Sequence, residues 1–307
     1  MAITQTFPGN TSTAAAKPKA PLPRPRADFE CTLADASGIG EVQRRLSLPE
    51  RLANNDAVRR AGVLLLLIVV WEVYARWADN PLLFPTFSLT LETFLRDLLD
   101  GTLIDRTRTS LYPLALGYLG GIVLAAILTS LAVSSRIGAD ILTTLTAMFN
   151  PLPAIAVLPL ALIWFGLGIP SLVFVIIHSV LWAVSLSTLT GFRSVPETLR
   201  LSGRNYGLKG VRYVALILIP AAFPAILAGL KIGWAFAWRT LVAAELVFGV
   251  SSRSGGLGWY IFEARSELDT PKVFAGLLTV ILIGLFVESI IFRSIEARTV
   301  QKWGMQR

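Results

Sequence analysis

Long apolar stretches alternate with short polar segments along most of this chain. Six of the stretches approach the length of about 20 mostly apolar residues that an α-helix needs to cross a bilayer. They lie at 59–78, 109–134, 139–165, 171–192, 215–249 and 272–293. The pattern predicts an all-α membrane protein with about six transmembrane helices.

A cluster of prolines interrupts the third stretch. The sequence FNPLPAIAVLPL contains Pro151, Pro153 and Pro159. Each proline lacks a backbone donor and obstructs the preceding turn of a helix. Because lipid cannot satisfy the freed carbonyl groups, such a break is tolerated only where protein covers it. We therefore expect this helix to be bent or broken inside the protein.

The polar ends of the chain differ from the apolar centre. Residues 1–57 are rich in Pro, Ala, Thr, Ser and charge, which predicts a disordered cytosolic tail without a cleavable signal peptide. The end of this tail, EVQRRLSLPERLANNDAVRR, either forms an amphipathic helix on the membrane surface or stays unstructured. Residues 58–295 form the predicted transmembrane domain, and residues 296–307 a cytoplasmic C-terminal tail.

Composition and charge support residence in lipid and orient the chain. Of its 307 residues, 54% are hydrophobic and only 16% are charged, with a net charge of +8. The basic residues cluster beside apolar stretches at 41–60, 193–212 and 293–307, whereas acidic residues dominate 79–107 and 251–270. This distribution favours the positive-inside rule over a nucleic-acid partner, and it predicts that both termini are cytoplasmic.

The most informative segment is the polar loop between the fourth and fifth stretches, at about 193–220. SVPETLRLSGRNY predicts a short helix, with Ser194 as its cap and Pro196 in its first turn. Gly207 is expected to end that helix, and LKGVRYVALIL to begin a second one. Two helices at an angle would form a compact knob on the cytoplasmic face.

This loop resembles the coupling loop of ABC import permeases. The family pattern is EAA, three residues, a glycine, and eleven residues before a hydrophobic residue and proline. Gly207 fits the glycine, and Ile219 with Pro220 fits the closing pair. The EAA positions are occupied by Leu201, Ser202 and Gly203. The flanking segments NPLPAIAVLPLALIWFGLGIPS and GLKIGWAFAWRTLVAAEL resemble the branch of the family that handles nitrate, taurine and alkanesulfonates.

The resemblance covers roughly residues 60–300 and implies a type I ABC importer fold in a bacterial inner membrane. It implies three protein partners: an ABC ATPase dimer that carries ATP and Mg, a periplasmic substrate-binding protein, and a second permease copy. No cofactor is expected in this chain, and its other partner is membrane lipid. The residues implied for ATPase coupling are Glu197, Arg200, Gly203, Arg204, Gly207, Lys209 and Pro220.

Charged residues inside a membrane span are costly, and they suggest function by default. The fifth stretch contains Lys231, Arg239 and Glu245. A pore-facing Arg239 would attract an anion, and Glu245 would hold a gate or pair across a subunit interface. Structural ion pairs between helices explain either residue as well. Helical spacing places Lys231 and Glu245 on one face with Trp234 and Trp238, and Arg239 away from Glu245.

The fourth stretch adds His178 and Trp182, which are spaced to line the same cavity. The alternative for a lone histidine is a hydrogen-bonded contact between helices. Without a second histidine or a nearby acidic cluster, a metal site is not expected. The predicted substrate pathway therefore consists of Arg239, Trp238, His178, Trp182 and Glu245.

The sequence contains no site for nucleotide hydrolysis. It has no G-x-x-x-x-G-K-[ST] phosphate loop, and SGGLGW at 254–259 lacks the required lysine. Those glycines either shape an outward turn or offer a docking surface for a binding protein. The chain is therefore predicted to be a translocation subunit and not an enzyme.

The sequence argues against two other classes of membrane protein. A secondary transporter driven by an ion gradient usually needs more spans, an internal repeat or several intramembrane acids. A membrane enzyme would show His, Asp or Ser clustered near one membrane face. Since neither pattern occurs in the sequence, we favour the permease of an ATP-driven importer for a small anion such as a sulfonate, taurine or nitrate.

Overall fold

The computed structural model describes residues 55–248 and 255–301, and every regular element within them is helical. The α-helices are α1 (Asp56–Ala78), α2 (Phe87–Leu99), α3 (Thr102–Ser134), α4 (Arg136–Phe149), α5 (Leu158–Phe165), α6 (Ile169–Ser194), α7 (Glu197–Asn205), α8 (Gly210–Tyr213), α9 (Ile219–Phe248), α10 (Leu257–Ser266), α11 (Thr270–Phe286) and α12 (Arg293–Glu296). A 3₁₀ turn covers Ala154–Val157, and π-helical turns cover Val214–Leu218, Val287–Phe292 and Ala297–Gln301.

The apolar helices match the six predicted spans. Within the described residues, five continuous helical stretches are long and apolar enough to cross a membrane: Ala57–Ala78, Thr102–Val133, Ile169–Ser194, Gly210–Val247 and Thr270–Val300. A bent pair of helices, Arg136–Phe149 with Ala154–Phe165, brings the number to six when the pair is counted as one span. The predicted all-α membrane architecture is confirmed.

The third span is broken, as its prolines predict. Helix α4 and the helical segment Ala154–Phe165 meet at 89°. Pro151 and Pro153 lie in the break, and Pro159 lies in the first turn of α5, where a missing donor costs nothing. The chain therefore changes direction within the bundle instead of crossing it as one straight rod.

Helix α6 lies at the centre of the bundle. In its most apolar stretch of 18 residues, 61% of the residues are buried, compared with 6% in the corresponding stretch of α1. Helices α3 and α9 both pack on α6. Gly117 allows the α3 contact, since a Cβ there would lie 2.6 Å from Cβ of Ile176, and Gly229 allows the α9 contact in the same way against Ser187. Small residues at such interfaces let membrane helices approach closely.

The loop between the fourth and fifth spans contains the predicted short helix, α7. The predicted cap is wrong: Ser194 ends α6, and its hydroxyl donates to the Gly191 carbonyl oxygen at 2.8 Å. Pro196 occupies the N-cap position of α7 without a side-chain bond. Gly207 follows this helix with a φ of 74°, the left-handed conformation that glycine tolerates best.

The chain divides into two units, residues 1–59 and 60–307, and the packing described above lies within the second. The predicted N-terminal tail, apart from residues 55–57, lies outside the described residues, as do residues 249–254 and 302–307. At the C-terminal end the helical path continues to Gln301.

Candidate functional site

The break in the third span forms one wall of a cavity of about 330 Å³. Helices α6 and α9 supply the other walls. The lining comprises residues 149–155 of the break, His178, Ser179 and Trp182 of α6, and Phe236, Arg239, Thr240 and Ala243 of α9. Three residues of the predicted pathway, His178, Trp182 and Arg239, therefore come together here.

Arg239 gives this cavity a positive charge. Its Nε donates to the Ala235 carbonyl oxygen at 2.9 Å, and its guanidinium carbon lies 5.2 Å from the centroid of the Phe236 ring. The side chain is exposed, and within residues 55–248 and 255–301 no carboxylate forms an ion pair with it. The guanidinium can therefore interact with a negatively charged guest.

His178 and Trp182 bring buried polar atoms to the same cavity. Both ring nitrogens of His178 and Nε1 of Trp182 lack a hydrogen-bond partner among the described residues. Trp182 stacks on Phe149 with 5.1 Å between ring centroids and 15° between planes. Because buried polar atoms in folded proteins are nearly always hydrogen-bonded, this wall is suited to a polar guest.

The other two predicted pathway residues do not line this cavity. Trp238 is buried, stacks on Trp234 and donates through Nε1 to the Val280 carbonyl oxygen at 3.3 Å. Glu245 is fully buried and bonds to Ser110 of α3. These residues lie on the face of α9 that packs within the bundle, and Arg239 lies on the face that meets the cavity.

Lys231 also forms contacts within the bundle. Its Nζ lies 2.8 Å from a carboxylate oxygen of Glu296 and 3.8 Å from one of Glu288. These contacts attach α9 to the C-terminal helical segment. For Lys231, the structure thus supplies the ion pair between helices that the sequence left open.

In the polar loop, Arg200 attaches α7 to the end of α6. Its Nε donates to the Val195 carbonyl oxygen at 3.1 Å, and its Nη2 donates to the Phe192 carbonyl oxygen. A carboxylate oxygen of Glu197 lies 3.9 Å from the same Nε. Arg200 therefore adds hydrogen bonds to carbonyl groups at the C-terminal end of α6.

Gly203 attaches the opposite side of α7 to the beginning of the fifth span. It is buried, and a Cβ at this position would lie 2.9 Å from Cγ1 of Ile217 and 3.3 Å from the Tyr213 ring. Ile217 belongs to the π-helical turn that leads directly into α9. The absence of a side chain at 203 is what permits this close contact.

The remaining predicted coupling residues surround this contact. Arg204 and Lys209 are exposed, and Gly207 forms the turn after α7. Pro220 lines an apolar groove of about 480 Å³ between α7 and the base of α9, together with Pro196, Leu199 and Leu216. All seven predicted residues thus lie on or beside one short segment.

Comparisons with known proteins agree with this architecture. Residues 117–300 match the family described as binding-protein-dependent transport system inner membrane component. The taurine transport system permease protein of Escherichia coli is 30% identical over 255 residues, covering 80% of this chain and 90% of the relative. The nitrate import permease protein of Synechocystis sp. is 30% identical over 243 residues, covering 76% and 86%.

A third relative is a permease protein of Bacillus subtilis named for aliphatic sulfonate transport. It is 31% identical over 270 residues, covering 84% of this chain and 95% of the relative. The family match spans more than half of the chain, and these similarities extend along nearly the full length of each relative. The chain therefore belongs to the family of binding-protein-dependent transport system inner membrane components, the permease subunits of ABC importers.

Proposed function

We propose that this permease subunit passes a small anion, such as a sulfonate, taurine or nitrate, across the membrane through the cavity at the broken span. The observation that carries the proposal is the position of Arg239, whose exposed guanidinium faces the cavity without a paired carboxylate among the described residues. His178 and Trp182 contribute polar atoms to the same wall.

The size and chemistry of the cavity support this class of substrate. Its volume of about 330 Å³ lies near the lower end of the range for small-molecule sites. A guanidinium can donate two parallel hydrogen bonds to a planar or tetrahedral oxyanion, which an ammonium group cannot do as well. The printed names of three relatives, which refer to taurine, aliphatic sulfonates and nitrate, agree with an oxyanion substrate.

The work for transport is proposed to come from a separate ATPase that docks on the 193–220 loop. Several apolar side chains near α7 are exposed: Tyr206 is 83% exposed, Val211 84% and Leu201 48%. Exposed apolar residues grouped on one segment favour a protein contact. Because Arg200 and Gly203 attach α7 to both neighbouring spans, a movement of α7 would move α6 and α9 together.

The proposed assembly has three further features. ATP and Mg are bound by the ATPase dimer, and a periplasmic binding protein delivers the anion to the outward face. A second permease copy completes the pathway.

The charge distribution supports cytoplasmic termini and an outward position for α2 and α10. Within this assembly, residues 58–295 form the permease domain, between an N-terminal tail at 1–57 and a C-terminal tail at 296–307.

Substitution of Arg239 tests the pathway directly. In proteoliposomes containing the permease and its ATPase, supplied with the binding protein, we expect Arg239→Ala to lower anion uptake about 10- to 100-fold, which corresponds to the loss of a charge-assisted hydrogen bond. Arg239→Lys keeps the charge and is expected to retain an intermediate rate. The control is Arg136→Ala, an exposed arginine at the start of α4. Wild-type uptake by an assembled Arg239→Ala complex would remove this residue from the pathway.

A further inference from the structure

Glu245 lies at a buried junction of three helices on the outward side of the bundle. Its side chain is fully buried, and both carboxyl oxygens lie 2.8 Å from Oγ of Ser110 on α3. One of them also accepts a hydrogen bond from the backbone N–H of Gly258 in the first turn of α10, at 2.8 Å. The residue thus connects α9, which carries Arg239, to both α3 and α10.

Ser110 completes the junction. Its Oγ accepts a hydrogen bond from the backbone N–H of Leu257 at 2.8 Å, so that its own proton is available to Glu245. Two of the backbone N–H groups that a helix leaves free at its start are therefore satisfied by side chains of other helices. The junction fixes the beginning of α10 at a defined position on α9.

Two glycines make room for this carboxyl group. A Cβ at Gly256 would overlap the carboxyl group of Glu245 and Oγ of Ser110. A Cβ at Gly258 would lie 2.6 Å from both Cβ of Glu245 and the carbonyl oxygen of Val242. Gly256, which precedes α10, and Gly258, in its first turn, therefore leave room for a close contact with Glu245, a more specific role than shaping an outward turn.

Helix α10 in turn contacts the neighbouring helices α2 and α3 of the outward surface. The Tyr260 hydroxyl donates to Oδ2 of the buried Asp97 on α2, and Glu263 forms an ion pair of 2.9 Å with Arg106 on α3. Several α10 residues, including Tyr260 and Glu263, line an outward polar cavity of about 640 Å³. Any displacement of α10 must therefore disturb this surface.

We propose that Glu245 is a positioning residue that makes α10 and the pathway helix α9 move as one body, so that contact with the outward surface changes the position of Arg239. Glu245 does not touch the transported anion. It acts through the hydrogen bonds to Ser110 and Gly258, which transmit the movement of α10 along α9 to Arg239, about 1.7 helical turns away. This inference rests on the proposed import function, because a binding protein is what would contact the outward surface. The hydrogen bonds of the junction do not depend on that function.

The test uses the full complex of permease and ATPase in nanodiscs, with the purified binding protein added. Variants Glu245→Ala and Ser110→Ala are compared with Glu245→Gln, which keeps an acceptor for Gly258 and a polar partner for Ser110. For the first two, we expect faster amide exchange at the start of α10, a basal ATPase rate like that of the wild type, and stimulation by the binding protein lowered about fivefold or more. Glu245→Gln is expected to restore most of the stimulation.

The outcomes separate this inference from the proposed function. Unchanged exchange and stimulation in Ser110→Ala and Glu245→Ala would overturn it, as would a loss of basal and stimulated rates in proportion to the amount of complex assembled. If Glu245→Ala fails to assemble, normal stimulation of Ser110→Ala still overturns the inference. A wild-type complex that no binding protein stimulates would instead contradict the proposed function, and the exchange comparison would still decide whether Glu245 holds α10. Glu92→Ala, an exposed glutamate on α2, is the matched control.

Discussion

The polar residues inside this membrane domain divide according to whether they have partners. Glu245 and Lys231 are bonded to groups on neighbouring helices. Arg239, His178 and Trp182 instead meet at a cavity with donor groups left free among the described residues. Since an unsatisfied buried polar atom costs free energy, His178 and Trp182 would be stabilised by a bound polar guest, whereas the exposed Arg239 contributes positive charge to the cavity.

A substitution of Trp182 tests this division at the level of one hydrogen bond. Trp182→Phe removes Nε1 and keeps an aromatic ring to stack on Phe149. We expect the apparent affinity for the anion during uptake to weaken about two- to tenfold, as for the loss of one hydrogen bond, with normal assembly. Trp164→Phe on α5, which packs against Phe174 outside the cavity, is the matched control and should leave uptake unchanged. Equal kinetics for both variants would show that Nε1 of Trp182 makes no contact with the anion.

The sequence predicts part of the cavity lining, and the other residues of the lining depend on packing between distant segments. Helical spacing correctly separated Arg239 from Glu245, because both lie on one continuous helix. It could not show that Phe149 and Asn150 approach His178, since that contact depends on the direction of the chain after the break. Ser110 had no local signal at all. Its role appears only when α3, α9 and α10 are brought together.

At the scale of elements, α7 attaches the polar loop that contains it to both neighbouring membrane spans. Its two attachments differ in kind: Arg200 bonds to carbonyl groups at the end of α6, and Gly203 permits close packing against the turn that begins the fifth span. The sequence predicted this helix because the turn residues around it are strong local signals. It placed the cap wrongly because Ser194 bonds back to its own helix, a competing arrangement that serine readily adopts.

An added side chain at Gly203 should separate α7 from the fifth span. Gly203→Val places atoms where a Cβ alone would already lie 2.9 Å from Ile217, and such overpacking costs about 1–3 kcal/mol. We expect the amount of anion imported per ATP hydrolysed to fall, because movement of α7 no longer reaches α9 fully. The control is Gly62→Val on α1, where a Cβ meets no atom within 4 Å. A wild-type ratio of uptake to hydrolysis for Gly203→Val would contradict rigid coupling through this contact.

At the scale of the whole molecule, the structure combines a central helix, α6, with two short helices, α7 and α10, that are each attached to the bundle by specific contacts. Helix α6 is packed by α3 and α9, and α7 follows its C-terminal end. Helix α7 offers exposed apolar side chains, and α10 borders a polar cavity. Hydrophobic pattern predicted the number of spans, since their length follows from bilayer thickness. It could not predict which helix lies at the centre, because that depends on close contacts between distant glycines and their partners.

The most direct test of the account is anion uptake by the purified permease reconstituted with its ATPase and supplied with its binding protein. We predict that uptake of a radiolabelled sulfonate, taurine or nitrate requires ATP on the side of the membrane where the ATPase is bound. Uptake should persist after ionophores remove proton and sodium gradients. Uptake that proceeds without the ATPase and follows an imposed ion gradient would contradict the account and identify a secondary transporter instead.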